Sequence, residues 1–564
     1  MNTTSNDTAG LAETSPELPA PHGAFSRKLE YFLAFILVCA VIVAYLPVWR
    51  ATFIWDDAAH LTENPVIVGP QGLKEIWTTR AARICPLTLT TFWVEHALWG
   101  LRPLPYHLVN VLLHAANALL LCRVLRRLGM TAAAAWLGAG LWALHPVQVE
   151  TVAWVTELKN TQSGFFFLLT ILFFLKWWGR DPENVSGRRF YLWALIFGAM
   201  AMASKSSTVV LPVVLGLCAW WMDGKWKWRN LFILAPFFLM TLVASAVSIW
   251  TQHLEGTSNA EWALAAPERM VVAGKVIWFY LGKLLWPHPL MLIYPQWKIN
   301  AGPALSWLPL LAAGAVLFLL WWNRRNSWRP LFFAFAYFLV ALLPVLGLID
   351  HTFLAFSFVG DHFQYLASMG PLALIAVGLT WLASVFRKNG TWWLAVFCAG
   401  LFLILGALSW QHAVVYQNPE SLWADTLQKN PECEIACVNL ASILLRRGDE
   451  EGAIAYYEKT LRFKPDSMAA HNNLAWIYVT TTQASLRNGN RALELAREAD
   501  QITHGNNAMV IRTLAAAFAE LGRFNEAQKT AQKALALAQK QGKTSLEQQI
   551  QGDLTHYVAG TPIQ

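Results

Sequence analysis

The sequence predicts an all-α protein: a polytopic membrane helix bundle of about eleven spans, followed by a solenoid of short helical repeats. Three observations carry this. The chain of 564 residues is 56% hydrophobic and only 14% charged, against roughly a quarter charged residues in soluble domains. Apolar runs of membrane-spanning length follow one another up to about residue 411. Beyond 411 the chain turns polar and Ala-rich, and two prolines, Pro431 and Pro465, stand one helical-hairpin period apart.

Residues 1 to 28 open the chain with a Ser, Thr, Pro and Gly-rich stretch of the kind that stays disordered. Arg27-Lys28 then precede the first apolar run, and no small-residue cleavage site follows, so an uncleaved anchor is expected. Residues 29–411 form the expected membrane domain. Its apolar runs begin near Tyr31, Tyr106, Ala132, Phe165, Phe190, Thr208, Leu231, Leu305, Leu331, Pro371 and Trp392. Basic clusters fall at every second connection: Arg27-Lys28, Arg123 with Arg126-Arg127, Arg180 with Arg188-Arg189, Lys225 to Arg229, Arg324 to Arg329, and Arg387-Lys388. Positive charge marks the cytoplasmic side, so the N-terminus is expected inside and the tail outside, which for a bacterial inner membrane is the periplasm. Val271 to Trp286 is apolar but carries Lys275 and Lys283. Counting it as a span would break the charge pattern, and an interfacial or re-entrant helix is expected instead.

The tail, residues 412–564, holds 15 basic and 16 acidic residues, so the net charge of +8 belongs to the membrane loops and gives no ground for nucleic-acid binding. Asn439-Leu440, Gly448, Ala453 and Tyr456-Tyr457 lie between the two prolines at tetratricopeptide spacing. A second unit runs from Asp466 to Ala492, a third carries Leu514-Ala515, Gly522 and Ala527, and Trp423 to Pro431 resembles the second helix of a partial unit. Stacked units offer a concave binding face, whose ligand the repeat pattern does not name. Cys433 and Cys437, four apart in the tail, leave a disulfide open, although its geometric demands are tight.

Polar residues collect in the connections expected on the outer face. Asp56-Asp57 directly follow the first span, where mutual repulsion and partial burial raise a carboxylate toward base-like values. A solvated acidic loop is the ordinary alternative. His145-Pro146 end the third span, and if 149 to 160 is helical then Glu150, Glu157 and Asn160 share a face. Lys205 lies between two apolar runs, where an ionisable group serves a substrate or partner charge, or else snorkels. Asp361-His362 with Tyr365 form another polar island. His107, His114 and Asn117 follow helical spacing in the second span, and interhelical hydrogen bonds are their expected use. No phosphate-binding Walker loop, dinucleotide glycine fingerprint or zinc-type Cys/His spacing is present, which argues against a soluble nucleotide-sugar site.

Taken together, Phe53-Ile54-Trp55-Asp56-Asp57, Glu63-Asn64-Pro65, Pro86-Leu87-Thr88, Tyr106 to His114, His145-Pro146-Val147 with Val149 to Trp154, Ala203 to Ser206, and Asp361 with Tyr365-Leu366 resemble one family. It is the transmembrane and tetratricopeptide-repeat-containing (TMTC-like) O-mannosyltransferases and their bacterial relatives, of the C-type glycosyltransferase fold. The resemblance spans about residues 30 to 560. The chain departs from the pattern at Ile84-Cys85 and at Gln148.

The resemblance implies a polyprenyl-phosphate sugar donor, an outward-facing site and an acidic base on the first outer loop. It puts Asp56, Asp57 and Glu150 at the catalytic positions, with Asp56 as the base and Asp57 in support. Lys205, Arg83 and His145 are the candidates to receive the leaving phosphate, and Asp361 and His362 complete the donor side. A divalent metal at the acidic pair is open, since some relatives of the fold use one. The expected reaction is inverting transfer of a mannose-like sugar to an acceptor hydroxyl, on a protein Ser or Thr held by the tail, with glycan and lipid acceptors left open. Two readings from other classes stand beside it: an inert membrane-anchored scaffold, and a polymerase, ligase or transporter of envelope glycans.

Overall fold

The structure, a computed structural model, describes residues 25–79, 85–179, 185–254, 264–325, 327–385 and 390–563. Among these the fold is all-α, with no strand. All eleven apolar runs are helical: Arg27–Ala44, Pro103–Arg127, Ala132–Leu144, Leu158–Trp178, Val185–Ser204, Leu211–Asp223, Arg229–Leu254, Leu308–Trp322, Arg329–Leu342, Met369–Val385 and Gly390–Val415. Local signals start and stop several of them. Pro103 opens one at a position whose amide would be unpaired anyway, and Thr131 caps the next by accepting from the Ala134 amide. Gly224, with φ 72°, ends Leu211–Asp223 in the left-handed conformation that glycine adopts without strain.

The chain is a multi-pass membrane protein. Among the described residues, six segments are long and apolar enough to cross a bilayer, and Ala132–Leu144, Arg329–Val345 and Met369–Val385 are shorter apolar helices. Exposure divides them. Only 6% of the Ala304–Trp322 window and 11% of the Arg229–Thr251 and Trp392–Val415 windows is buried, against 72% for Val155–Trp178. Phe232, Leu311 and Leu403 on the exposed helices are bare, as expected of faces that meet lipid rather than water. The helix Ala266–Leu285, which covers the segment expected at the interface, falls outside the set of six.

Side-chain contacts sort the connections to two ends. Trp221 donates to the Leu128 carbonyl at 2.8 Å, Trp178 to Asp223 at 2.9 Å, and the Arg329 guanidinium to the Trp221 carbonyl. The basic turns near Arg126, Arg188, Lys225 and Arg329 therefore share one end of the bundle. At the other end, His114 bridges the Tyr365 hydroxyl and the Ala143 carbonyl, each at 2.9 Å. Asn117 donates to the Thr161 carbonyl at 2.8 Å and to Tyr365 at 3.0 Å. Trp142 donates to the Tyr365 carbonyl at 3.0 Å. These buried polar side chains are interhelical ties, and they pin the Asp361–Ser368 segment over the mouth of the bundle.

The last apolar helix runs past position 411 to Val415, and Pro419–Lys429 follows. Then come the hairpins Glu434–Arg446 with Glu450–Phe463, Met468–Thr480 with Gly489–Ile502, and Ala508–Glu520 with Phe524–Lys540, closed by Thr544–Val558. Small residues such as Ala441, Ala453, Ala475, Ala492, Ala515 and Ala527 are buried where the helices cross. Cys433 and Cys437 are buried free thiols. The tail meets the polar end of the bundle: Thr52 donates its amide to the Gln417 carbonyl at 2.8 Å, and Asn430 donates to the Ile293 carbonyl at 3.2 Å.

Candidate active site

The acidic loop is built around Trp55. Its φ of 39° is left-handed, a strained conformation for an aromatic residue that persists only where its surroundings hold it. They do: the indole stacks on Trp154 with centroids 5.3 Å apart and meets Trp423 of the tail edge-on at 5.4 Å. The two acids that follow have different environments. Asp57 is fully buried, accepting from the Ile54 and Thr156 amides at 2.8 Å each and from the Thr156 hydroxyl. Burial pushes its carboxyl up to about 7, against the lowering effect of those donors. Asp56 is half-buried and its carboxylate makes no hydrogen bond or ion pair among the described residues. Its charge acts on Lys159 and His60.

The second outer connection differs from the single helix expected over 149 to 160. It is Val149–Ala153, an extended Trp154, a 3-10 turn Val155–Glu157, and then the helix from Leu158. Tertiary contacts impose the break. Trp154 is held against Trp55, Asn110 donates to the carbonyls of Trp154 and Val155 at 3.1 and 3.3 Å, and the Thr156 amide is committed to Asp57. Glu150 and Glu157 consequently join different clusters.

Glu150 is fully buried. It accepts from the Asp361 amide at 2.9 Å and lies 2.6 Å from His362 Nδ1. Burial raises Glu150 well above the usual carboxylate range and lowers His362 to about 3, so both are held toward their neutral forms and share one proton. Asp361 accepts from the Tyr294 hydroxyl at 3.0 and 3.1 Å, and burial raises it to about 7.

Glu157, also buried, pairs with Lys159 at 2.9 Å and with Lys205 at 3.8 Å. Lys205 donates to Asn160 Oδ1 at 2.6 Å, and burial lowers it to about 8, which leaves it mostly cationic near neutrality. Asn160 donates to Glu157 and, at 3.1 Å, to the His362 carbonyl, joining the two clusters. Two lysines around one carboxylate leave a net positive charge beside Asp56.

His145 stands apart from these groups. Its Nε2 faces the Leu284 carbonyl at 3.1 Å and its Nδ1 accepts from the Val147 amide at 3.4 Å, so it closes a helix end. Arg83 lies outside the described residues. No group of three or more His, Cys, Asp or Glu that could hold a metal occurs among the described residues, and Asp57 is already occupied by amide and hydroxyl donors. The acidic pair as built does not form a cation site. Lys159, Thr156, Tyr294 and Trp423 belong to the site and were not singled out from the sequence. Only Lys159, two residues from Glu157, carried a local signal.

A tetratricopeptide-repeat family model matches residues 436–469. Along the chain as a whole, the protein O-mannosyl-transferase Tmtc3 of Drosophila melanogaster is 24% identical over 82% of this chain and 58% of its own length. Human TMTC4 is 25% identical over 77% of this chain and 66% of its own. The resemblance to the TMTC proteins holds along most of the chain. Human TMTC1 extends it at 23% identity, over 80% of this chain and 57% of its own length. The chain thus spans about three fifths of the TMTC relatives it matches. Among solved structures, the apo oligosaccharyltransferase of Archaeoglobus fulgidus overlays with a TM-score of 0.42 and 12% identity, covering 73% of this chain and 60% of that one.

Proposed function

We propose that this TMTC-like chain is a membrane glycosyltransferase that moves a mannose-like sugar from a polyprenyl-phosphate carrier to the hydroxyl of a protein Ser or Thr. The observation that carries the reading is the half-buried carboxylate of Asp56, without a hydrogen bond among the described residues, beside the cationic group of Lys159 and Lys205 around Glu157. Inverting transfer needs this pairing of charges. Asp56 takes the acceptor proton as the acceptor oxygen bonds to the anomeric carbon, and the bond from that carbon to the phosphate oxygen breaks on the opposite face. Polyprenyl phosphate leaves with the electron pair, and the two lysines hold its charge. Asp57 supports the loop that carries Asp56. Glu150, His362 and Asp361 set the floor beneath the donor headgroup.

In this reading residues 29–411 are the catalytic unit and 412–564 the acceptor-holding unit, with 1–28 cytoplasmic and the tail in the periplasm of a bacterial inner membrane. The similarity to protein O-mannosyl-transferases supports the sugar and the acceptor class. The test is incubation of purified protein with labelled polyprenyl-phosphate mannose and Ser/Thr-containing peptides. Release of free polyprenyl phosphate together with labelled peptide is expected. No release leaves the inert scaffold as the better account.

A further inference from the structure

A partly open apolar cavity of about 620 Å³ runs along the bundle from Met369, just after the Asp361–Ser368 segment, toward Trp381 and Ser384. Along Met369–Val385 its wall is one broad helix face, with Met369, Ala373, Val377, Trp381 and Ser384 at three- and four-residue spacing along it and Gly370, Leu374, Thr380 and Ala383 beside them. At 1.5 Å rise per residue this stripe is about 22 Å long. One leaflet of the hydrocarbon core is about 15 Å deep, half of roughly 30 Å. The opposite wall is Leu121, Leu125, Leu168 and Val214, aliphatic throughout. The space is therefore elongated and mostly apolar, which suits a hydrocarbon chain better than a sugar.

One end of the cavity lies at the basic end of the bundle, where Leu128, Met130, Trp221 and Pro330 line it. Two guanidiniums stand there. Arg126 donates to the Met130 carbonyl at 3.3 Å, and Arg329, next to Pro330, donates to the carbonyls of Trp220 and Trp221. Neither has a carboxylate partner among the described residues, and the Arg329 Nε is buried with no hydrogen-bond partner. Asp223, at the same end, is already paired with Lys227 at 2.8 Å. Arginines held by carbonyls retain full charge and spare donors, and phosphate is the group that fits their planar fork.

We infer that this cavity is a lipid site, taking one acyl chain of an anionic phospholipid with its phosphate against Arg126 and Arg329. A mostly apolar cavity left unfilled forfeits packing energy in proportion to its volume, and in a bilayer the available filler is lipid. The two arginines lie at the opposite end of the bundle from Asp56 and Lys205, so the phosphate they would hold is separate from the proposed donor headgroup and does not depend on that assignment. Its occupant would brace the Pro103–Arg127, Met369–Val385 and Arg329–Leu342 helices that carry the mouth.

The test is native mass spectrometry of the full chain, purified from membranes and re-equilibrated in turn with phosphatidylglycerol, phosphatidylethanolamine or polyprenyl phosphate. One phosphatidylglycerol is expected to survive washing at least about tenfold better than phosphatidylethanolamine. Val377→Phe, which fills the middle of the stripe, should remove it. Ala133→Phe, at an exposed lining position, should weaken it without touching the core, which keeps the test valid if Val377→Phe fails to fold. Arg126→Gln should erase the preference for the anionic headgroup. Equal retention by wild type and both Phe variants overturns the site. Displacement of phosphatidylglycerol by polyprenyl phosphate reassigns the cavity to the donor and overturns the proposal equally.

Discussion

Asp56 and Asp57 are neighbours with opposite surroundings, and Asp→Asn at each position separates chemistry from structure. At Asp57 the change is nearly isosteric but not electronically neutral. A carboxamide keeps one acceptor oxygen and turns an NH2 group toward a second backbone donor, either Ile54 N or Thr156 N, both now 2.8 Å from carboxylate oxygens. A charge-assisted hydrogen bond contributes about 1.5–3 kcal/mol, and a buried amide left unpaired costs about 1–3 kcal/mol. Asp57→Asn should therefore destabilise the outer loops by roughly 3 kcal/mol and lower the melting temperature in detergent. Asp56→Asn breaks no hydrogen bond among the described residues, so its stability should stay within about 0.5 kcal/mol of wild type. Its turnover should fall by about two to four powers of ten, the usual contribution of a general base. Thermal melts and release of labelled polyprenyl phosphate, measured on both variants, check the pair. Normal turnover in Asp56→Asn would refute the assignment of the base. An unchanged melt in Asp57→Asn would refute the structural role given to its hydrogen bonds.

Lys205→Met should weaken donor binding by roughly 10- to 100-fold, the value of one charge-assisted contact, while folding survives because Lys159 still pairs with Glu157. Lys205→Arg should recover part of the loss in a binding assay with polyprenyl phosphate, and unchanged affinity in the Met variant returns Lys205 to snorkelling. Trp423→Ala removes a fully buried ring from Trp55 and should cost about 3–5 kcal/mol and lower turnover, with Trp423→Phe restoring most of both; full activity in the Ala variant means the tail contact leaves the acidic loop unaffected. Asp361 rises from the usual 3.8 to about 7 on folding, so the folded state keeps a proton that the unfolded chain releases, and stability should fall as pH rises through about 4 to 7. Asp57 contributes with the same sign. Asp361→Asn should flatten that slope in pH-dependent melts, and an unaltered slope refutes it. An alkaline-phosphatase fusion after Gly505 should be active and one after Arg188 inactive, and the reverse overturns the proposed orientation.

Each of the eleven apolar runs read from hydropathy is a helix, and the 34-residue proline spacing became helical hairpins, because both signals are local and periodic. The individual polar islands were also visible, since an ionisable residue between apolar runs stands out by itself. Their grouping was not. Glu150 and Glu157 were placed on one helical face, but the helix breaks at Trp154 because Trp55, Asn110 and Asp57 each take a backbone or side-chain partner there. Tyr294 reaches Asp361 across 67 residues and Trp423 reaches Trp55 from the tail, distances at which no pattern in the chain signals a contact. His145 reads the same in sequence whether it binds a ligand or caps a turn, and here it caps.

Repeat arrays normally need terminal repeats with a polar outer face to keep their ends from sticking. The array here begins with half a unit, Pro419–Lys429, whose Leu422, Trp423 and Leu427 are buried, with Lys429 and Asn430 tied to the carbonyls of Leu290 and Ile293. The membrane bundle itself takes the place of the missing cap. A tail cut free at Val415 would present that apolar helix to water, so it is not a separable module in the way a linker-borne domain is. Units added after Thr544–Val558 would leave that join undisturbed. The array's reach can therefore change while its bearing on the acidic loop stays constant, as with a crane whose jib is lengthened but whose mast is bolted down.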